Sequence, residues 1–243
     1  MSADDRDPDG VRRLRAPNPS PLTLDGTNTY VVERWVVDPG PADEAHLAAV
    51  DAAAGGAIAG IVLTHSHPDH AEGADPLARR AGGVPVVLPV GGEKVGPFRA
   101  IATPGHSPEH VCLLFGRACF TGDTVLGRGS VFVAPGEGSL SSYLDSLRTL
   151  LELDPEVICP GHGPYVRDPR AKLTAYIEHR LERERLLLEA LAAGARSEDE
   201  LIRWAWSDAP DDLRPATELT LRAHLEKLSR EGRLPHDLEP GLP

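Results

Sequence analysis

Short apolar runs set off by glycine- and proline-rich turns organise the first two thirds of this chain. Runs at 29–33, 35–38, 58–63, 84–88, 98–102, 110–115 and 118–121 read as strands, as does Val157-Ile158-Cys159. Helical spacing falls among them near 42–54, 71–81 and 139–153. Strands alternating with helices predict an α/β domain. Past residue 166 the period changes. Pro169 suits the first position of a long helix, on which Leu173, Tyr176, Ile177, Leu181, Leu187, Leu188 and Leu191 recur at helical spacing until about Gly194. Ser197-Glu198-Asp199-Glu200 has the form of a capping box for a short helix to about Trp206. A third helix is expected from near Pro215 to Arg230, with Leu219, Leu221, Leu225 and Leu228 on its core side. The organisation expected is a disordered acidic segment over 1–10, an α/β domain over 11–166 and a small helical domain over 167–243. No internal repeat is visible.

Charge narrows the partners. The 243 residues hold 25 Lys and Arg against 37 Asp and Glu, a net charge of −12. Residues 167–243 carry 13 basic and 16 acidic side chains, which leaves −9 of that charge on the rest. Such a surface is a poor electrostatic partner for long nucleic acid. Arg180, Arg183 and Arg185 are expected to pair on the helix surface with Glu178, Glu182, Glu184 and Glu189. Trp204 and Trp206 are expected in core or interdomain packing. No apolar run reaches the ~18 residues of a membrane span, and no basic-plus-apolar leader opens the chain. Three cysteines, Cys112, Cys119 and Cys159, sit in apolar runs, which fits a reducing cytoplasm and no disulfide framework. A homodimer is left open.

The densest chemistry lies at Thr64-His65-Ser66-His67-Pro68-Asp69-His70, directly after the apolar Ile61-Val62-Leu63. Neutral imidazoles and carboxylates are the ligands that zinc prefers. Alternate residues of an extended loop point the same way, so His65 and His67 can grip one ion while Asp69 and His70 turn toward a neighbour. Pro68 is expected to hold the loop out of a helix until about Ala71. Three more candidates follow strand-like runs: His106 in Thr103-Pro104-Gly105-His106, Asp123 in Thr121-Gly122-Asp123, and His162 in Pro160-Gly161-His162-Gly163. Each stands beside glycine, which lets backbone approach closely. His110, four residues past His106, is a candidate proton donor, with Glu109 available to orient it. The alternative is a histidine with a purely supporting role. Gly129–Gly138 reads as a loop over the site.

These four motifs together resemble the metallo-β-lactamase superfamily of binuclear metallohydrolases. The resemblance implies a four-layer αββα sandwich of two mixed sheets. It implies that His65, His67 and His106 hold one metal, that Asp69, His70 and His162 hold a second, and that Asp123 bridges them. Two Zn²⁺ ions are expected; iron or manganese suits the same ligands. The mechanism implied is hydrolysis by a hydroxide bridging the metals, with Asp69 both ligating and orienting it. Asp25-Gly26-Thr27-Asn28-Thr29-Tyr30, Val36-Val37-Asp38-Pro39-Gly40-Pro41 and Tyr176-Ile177-Glu178-His179-Arg180-Leu181 resemble a narrower group, the lactamase-beta-like protein 2 proteins, which carry a C-terminal winged-helix-like domain. Between strands, this chain has only the brief Gly91-Gly92-Glu93-Lys94-Val95-Gly96, which puts one expected strand in doubt.

Two substrate classes stand. The narrower resemblance implies an endoribonuclease for single-stranded RNA. The alternative is a thioesterase or carboxylic ester hydrolase of the glyoxalase II or acyl-carrier type, acting on a small molecule. The acidic surface counts against the first, and the missing basic glutathione-binding tail against the glyoxalase II form of the second. A metal-stabilised binding module is the non-enzymatic reading.

Overall fold

The computed structural model describes residues 6–135 and 139–235. Two five-stranded sheets form its centre. The first has the order β1 (Val11–Arg15), β2 (Asn28–Val32), β3 (Trp35–Val37), β4 (Gly60–Val62), β5 (Val86–Val87). Its first two pairings are antiparallel and its last two parallel. The second has the order β10 (Val157–Pro160), β9 (Ala118–Gly122), β8 (Val111–Phe115), β7 (Phe98–Ala102), β6 (Lys94–Val95), and only β10 pairs in parallel.

Period-two alternation sorts these strands into layers. Tyr30, Val32, Val37 and Val62 meet Leu113, Phe120, Phe98 and Val157 between the sheets. Their neighbours Val31, Val36 and Ile61 face α1 (Glu44–Ala53) and α3 (Ala74–Arg80). Cys112, Cys119 and Ile158 face α4 (Leu140–Leu153) and α5 (Pro169–Ala192). Helix, sheet, sheet, helix is the expected αββα order. A fourth core joins the second half of α5 to α6 (Glu198–Ala205) and α7 (Arg214–Arg230). Both hydrogen bonds of the capping box at Ser197 and Glu200 are formed.

Several local expectations change. Pro68 does not hold off a helix: it opens α2 (Pro68–Ala71), because a missing N–H costs nothing at the first helical position. The helix expected over 71–81 breaks at Gly73, where a Cβ would come within 2.9 Å of the Gly40 carbonyl oxygen. Strand β1 escaped notice because Val-Arg-Arg-Leu-Arg lacks apolar alternation; Arg13 lies over the Tyr165 ring instead, 4.3 Å from its centroid. The doubtful segment 91–96 contributes the two-residue β6. Residues 6–10 are anchored: Asp7 accepts from Tyr165 Oη at 2.8 Å, and Val11 N–H donates to the Pro8 carbonyl. Residues 1–5 of the segment expected to be disordered, 136–138 of the expected loop and the tail from 236 lie outside the described residues. On α5, Leu181 is exposed while Arg180 and Glu184 are buried. Trp206 is packed as expected, but Trp204 is 47 % exposed.

Candidate metal centre

All seven predicted ligands converge where the two sheets meet. His65 and His67 leave β4 in an extended turn, while α2 turns Asp69 and His70 to a neighbouring position. His106 follows β7, Asp123 follows β9 and His162 follows β10. Ligand atoms of His65, His67 and His106 lie within 4.8 Å of one another, and so do those of Asp69, His70, Asp123 and His162. Asp123 reaches both groups. Its Oδ2 is 3.7 Å from His106 Nε2, and its Oδ1 is 3.4 Å from Nε2 of both His70 and His162.

The ring protons reveal what the cluster is arranged to hold. Thr64 Oγ1 donates to Asp38 Oδ2 at 2.7 Å, so it accepts from His65 Nδ1 at 3.0 Å. His70 Nδ1 donates to the same Asp38 oxygen at 2.9 Å. His106 Nδ1 donates to the Phe132 carbonyl at 3.3 Å, and His162 Nδ1 to the Gly26 carbonyl at 3.4 Å. In the neutral ring each pairing leaves an Nε2 lone pair aimed into the cluster. His65 Nε2 is buried without a hydrogen-bond partner, and His67 Nδ1 comes within 3.0 Å of His106 Nε2. Converging nitrogen lone pairs beside two carboxylates are an unfavourable arrangement on their own and a good donor set for divalent cations. The residues fit a metal centre.

Electrostatics agree with that reading. Burial opposes charge on His70 and His162, yet the Asp123 carboxylate outweighs it, raising His70 well above the usual imidazole range and His162 to about 9. Burial pushes His65 and His106 down. Asp123 is held well below its ordinary value, because His162 and His70 overcome the burial that would raise it. Asp69 is lowered too: its hydrogen bond to His162 outweighs burial. Its side chain, 31 % exposed, is the most accessible of the four in its group.

His110 is buried beside the cluster. It is 1 % exposed, stacked on His65 at 4.8 Å between centroids, and its Nε2 accepts from the Asp123 N–H at 3.2 Å. Its Nδ1 proton therefore serves Thr103 or Thr124. Burial lowers it to about 3, with His106 adding to the effect, so it stays neutral and supports the ligand loops. Glu109 does not orient it; Glu109 accepts from Ser66 Oγ at 2.6 Å and ties two ligand loops together. Sequence reading missed the work of Asp38, although Val37-Asp38-Pro39-Gly40 was in view. A carboxylate ending a buried strand was the available signal.

The arrangement defines a metal-dependent hydrolase of the αββα class. The chain matches the Metallo-beta-lactamase superfamily over residues 22–91 and 83–162, and the Beta-lactamase associated winged helix domain over 197–238. It belongs to the metallo-β-lactamase superfamily. A Drosophila melanogaster protein named beta-lactamase-like protein 2 homolog is 31 % identical, covering 92 % of this chain and 89 % of that relative. An Aspergillus fumigatus atrochrysone carboxyl ACP thioesterase is 32 % identical over 84 % of this chain and 75 % of its own length. A solved structure of a protein in a di-iron-bound form has 29 % identity and a TM-score of 0.53, covering 65 % of this chain and 96 % of that one.

Proposed function

We propose that this protein is a binuclear metallohydrolase that cleaves a small acyl thioester or ester, with two zinc ions as the metals. The observation that carries the reading is the set of convergent imidazole nitrogens grouped around the shared carboxylate of Asp123. Zinc suits a set of five imidazoles and two carboxylates in chemistry that needs no redox change. His65, His67 and His106 would hold one cation and Asp69, His70, Asp123 and His162 the other, and such cations would supply Lewis acidity that acidifies water at the site. The chain's own residues do the rest. Ionised and half-exposed, Asp69 is positioned to orient the attacking water and take its proton. Phe132, whose ring lies 5.8 Å from that of His106, walls one side of the cluster. Cys112, Cys119 and Cys159 are buried in the sheets, so no thiol competes as nucleophile.

A thioester substrate is supported by relatives named as thioesterases and by the chain's net charge of −12. The likeness to the beta-lactamase-like protein 2 homologue favours the second reading, cleavage of single-stranded RNA. The natively purified protein, its metals quantified by mass spectrometry, is to be offered acyl thioesters and a labelled RNA oligomer in parallel. Thioester cleavage that disappears with Asp123→Ala supports the first reading. RNA cleavage lost with the same substitution supports the second. A protein that retains no divalent metal overturns both.

A further inference from the structure

A cavity of about 540 Å³ lies against the metal centre, between residues 129–132, α5 and the start of α7. Phe132 belongs to both places: it lines the cavity, and its carbonyl accepts from the His106 ring. Tyr176, Trp206 and Leu213 give it apolar wall. Volume and lining are those of a small-molecule site.

Its charges are unusual for this chain. Helix α5 carries five Lys and Arg side chains, and three of them have carboxylate partners. Arg170 pairs with Asp154 at 2.8 Å, Arg183 with Asp208 at 2.7 Å, and Arg185 with Glu182 at 2.6 Å. The other two, Lys172 and Arg180, have no carboxylate partner among the described residues, and both line the cavity. Arg180 is 2 % exposed, and its Nε has no hydrogen-bond partner. Its Nη2 donates to two neutral acceptors, Ser130 Oγ and the Val131 carbonyl, and its guanidinium lies over the Tyr143 ring. Lys172 reaches the Gly129 carbonyl at 3.5 Å. His179 shares the cavity wall with an unpartnered Nδ1; burial, then Arg180 and Arg183, lower it to about 4. A buried cation with no counter-charge is costly. The cost recedes when an anion arrives.

We propose that this cavity receives the non-reacting part of the substrate, an apolar group ending in one anion, with Arg180 and Lys172 holding that anion while the scissile carbonyl lies at the His/Asp cluster. The substrate role rests on the hydrolase reading above; the anion site does not. Carboxylate and phosphate share the chemistry, because a guanidinium fork and an ammonium serve either. Asp208 is already engaged by Arg183, so it leaves the positive field largely intact.

The test is calorimetric titration of the full-length, metal-loaded protein with 4-phenylbutyrate, 4-phenylbutyl phosphate and neutral 4-phenylbutyramide. At least one anion is expected to bind about tenfold more tightly than the amide, as one charge-assisted contact allows. The ratio of carboxylate to phosphate affinity then assigns the anion. Lys172→Glu, on a half-buried helix position, is expected to remove that advantage and leave amide binding alone. Ala216→Trp is expected to abolish binding of all three by filling the cavity. Anion binding should survive chelation of the metals. Equal affinity for amide and anions, indifference to Lys172→Glu, or loss on chelation would each overturn the proposal. Displacement of the acids by a U10 RNA oligomer would overturn it as well, in favour of a nucleic-acid groove. None of these measurements needs turnover. A protein that binds the acids yet cleaves no thioester would refute the functional reading and keep the anion site.

Discussion

At the scale of residues, Asp38 joins the two halves of the cluster. One of its oxygens takes protons from Thr64 and His70, and through Thr64 it fixes His65. Its φ of 48° lies in the left-handed region, which asparagine tolerates better than alanine. Asp38→Asn should therefore keep the fold and weaken metal binding by ~10–100-fold, the usual cost of losing a partner behind a ligand; competition with a fluorescent chelator measures it. The metal must also displace protons. His70 and His162 have raised values, so the protonated cluster is favoured below the ordinary imidazole value of 6.5 and loses that advantage as pH rises toward about 9. Apparent metal affinity should accordingly increase between pH 6.5 and 9, with proton release on binding. Glu109 works in the opposite sense. Burial opposes its charge, but Ser66 holds it down to about 2, so the clasp contributes above the ordinary carboxyl value of 4.5 and fades as pH falls toward 2. The melting-temperature gap between wild type and Glu109→Gln should shrink from pH 7 to pH 3.

At the scale of elements, the ligand turns depend on backbone approaches that no side chain survives. A Cβ on Gly161 would sit 2.6 Å from His70 Cε1 and 2.7 Å from Asp123 Oδ1. Gly161→Ala should retain the strands by circular dichroism and weaken metal binding, since the added methyl pushes on two candidate ligands rather than on the core. Gly122 is constrained twice, by a φ of +44° and by Thr64 Oγ1 at 2.4 Å from its would-be Cβ. These glycines were visible in the sequence as neighbours of candidate ligands. Which atoms they make room for was not, because His70 and Asp123 are distant from Gly161 along the chain.

For the whole molecule, α5 belongs to two cores. Leu173 and Tyr176 complete the packing on α4, while Leu187, Ala190 and Leu191 support α6 and α7. Tyr176 Oη also accepts from Leu126 N–H and donates to the Gly129 carbonyl, securing the loop beside the metal centre. A chain stopped after residue 166 should lose its cooperative melt and its metal together, although every ligand remains; differential scanning calorimetry with metal analysis reads both. Among the described residues no helix is long and apolar enough to cross a membrane.

Local chemistry was legible in the residues themselves. Imidazole spacing in the 64–70 motif, strands ending in Gly-ligand turns, the capping box at Ser197 and the helical repeat of α5 all act over a few residues, and such short-range constraints survive in a one-dimensional string. Long-range choices were not legible. Whether His110 faces solvent or stacks on His65, whether Arg180 pairs with a neighbouring glutamate or lies buried without one, and whether Leu181 or Arg180 turns inward are settled by what the fold packs against each position. The tertiary structure decided these because burial and charge pairing depend on distances in space, which spacing along the chain does not encode.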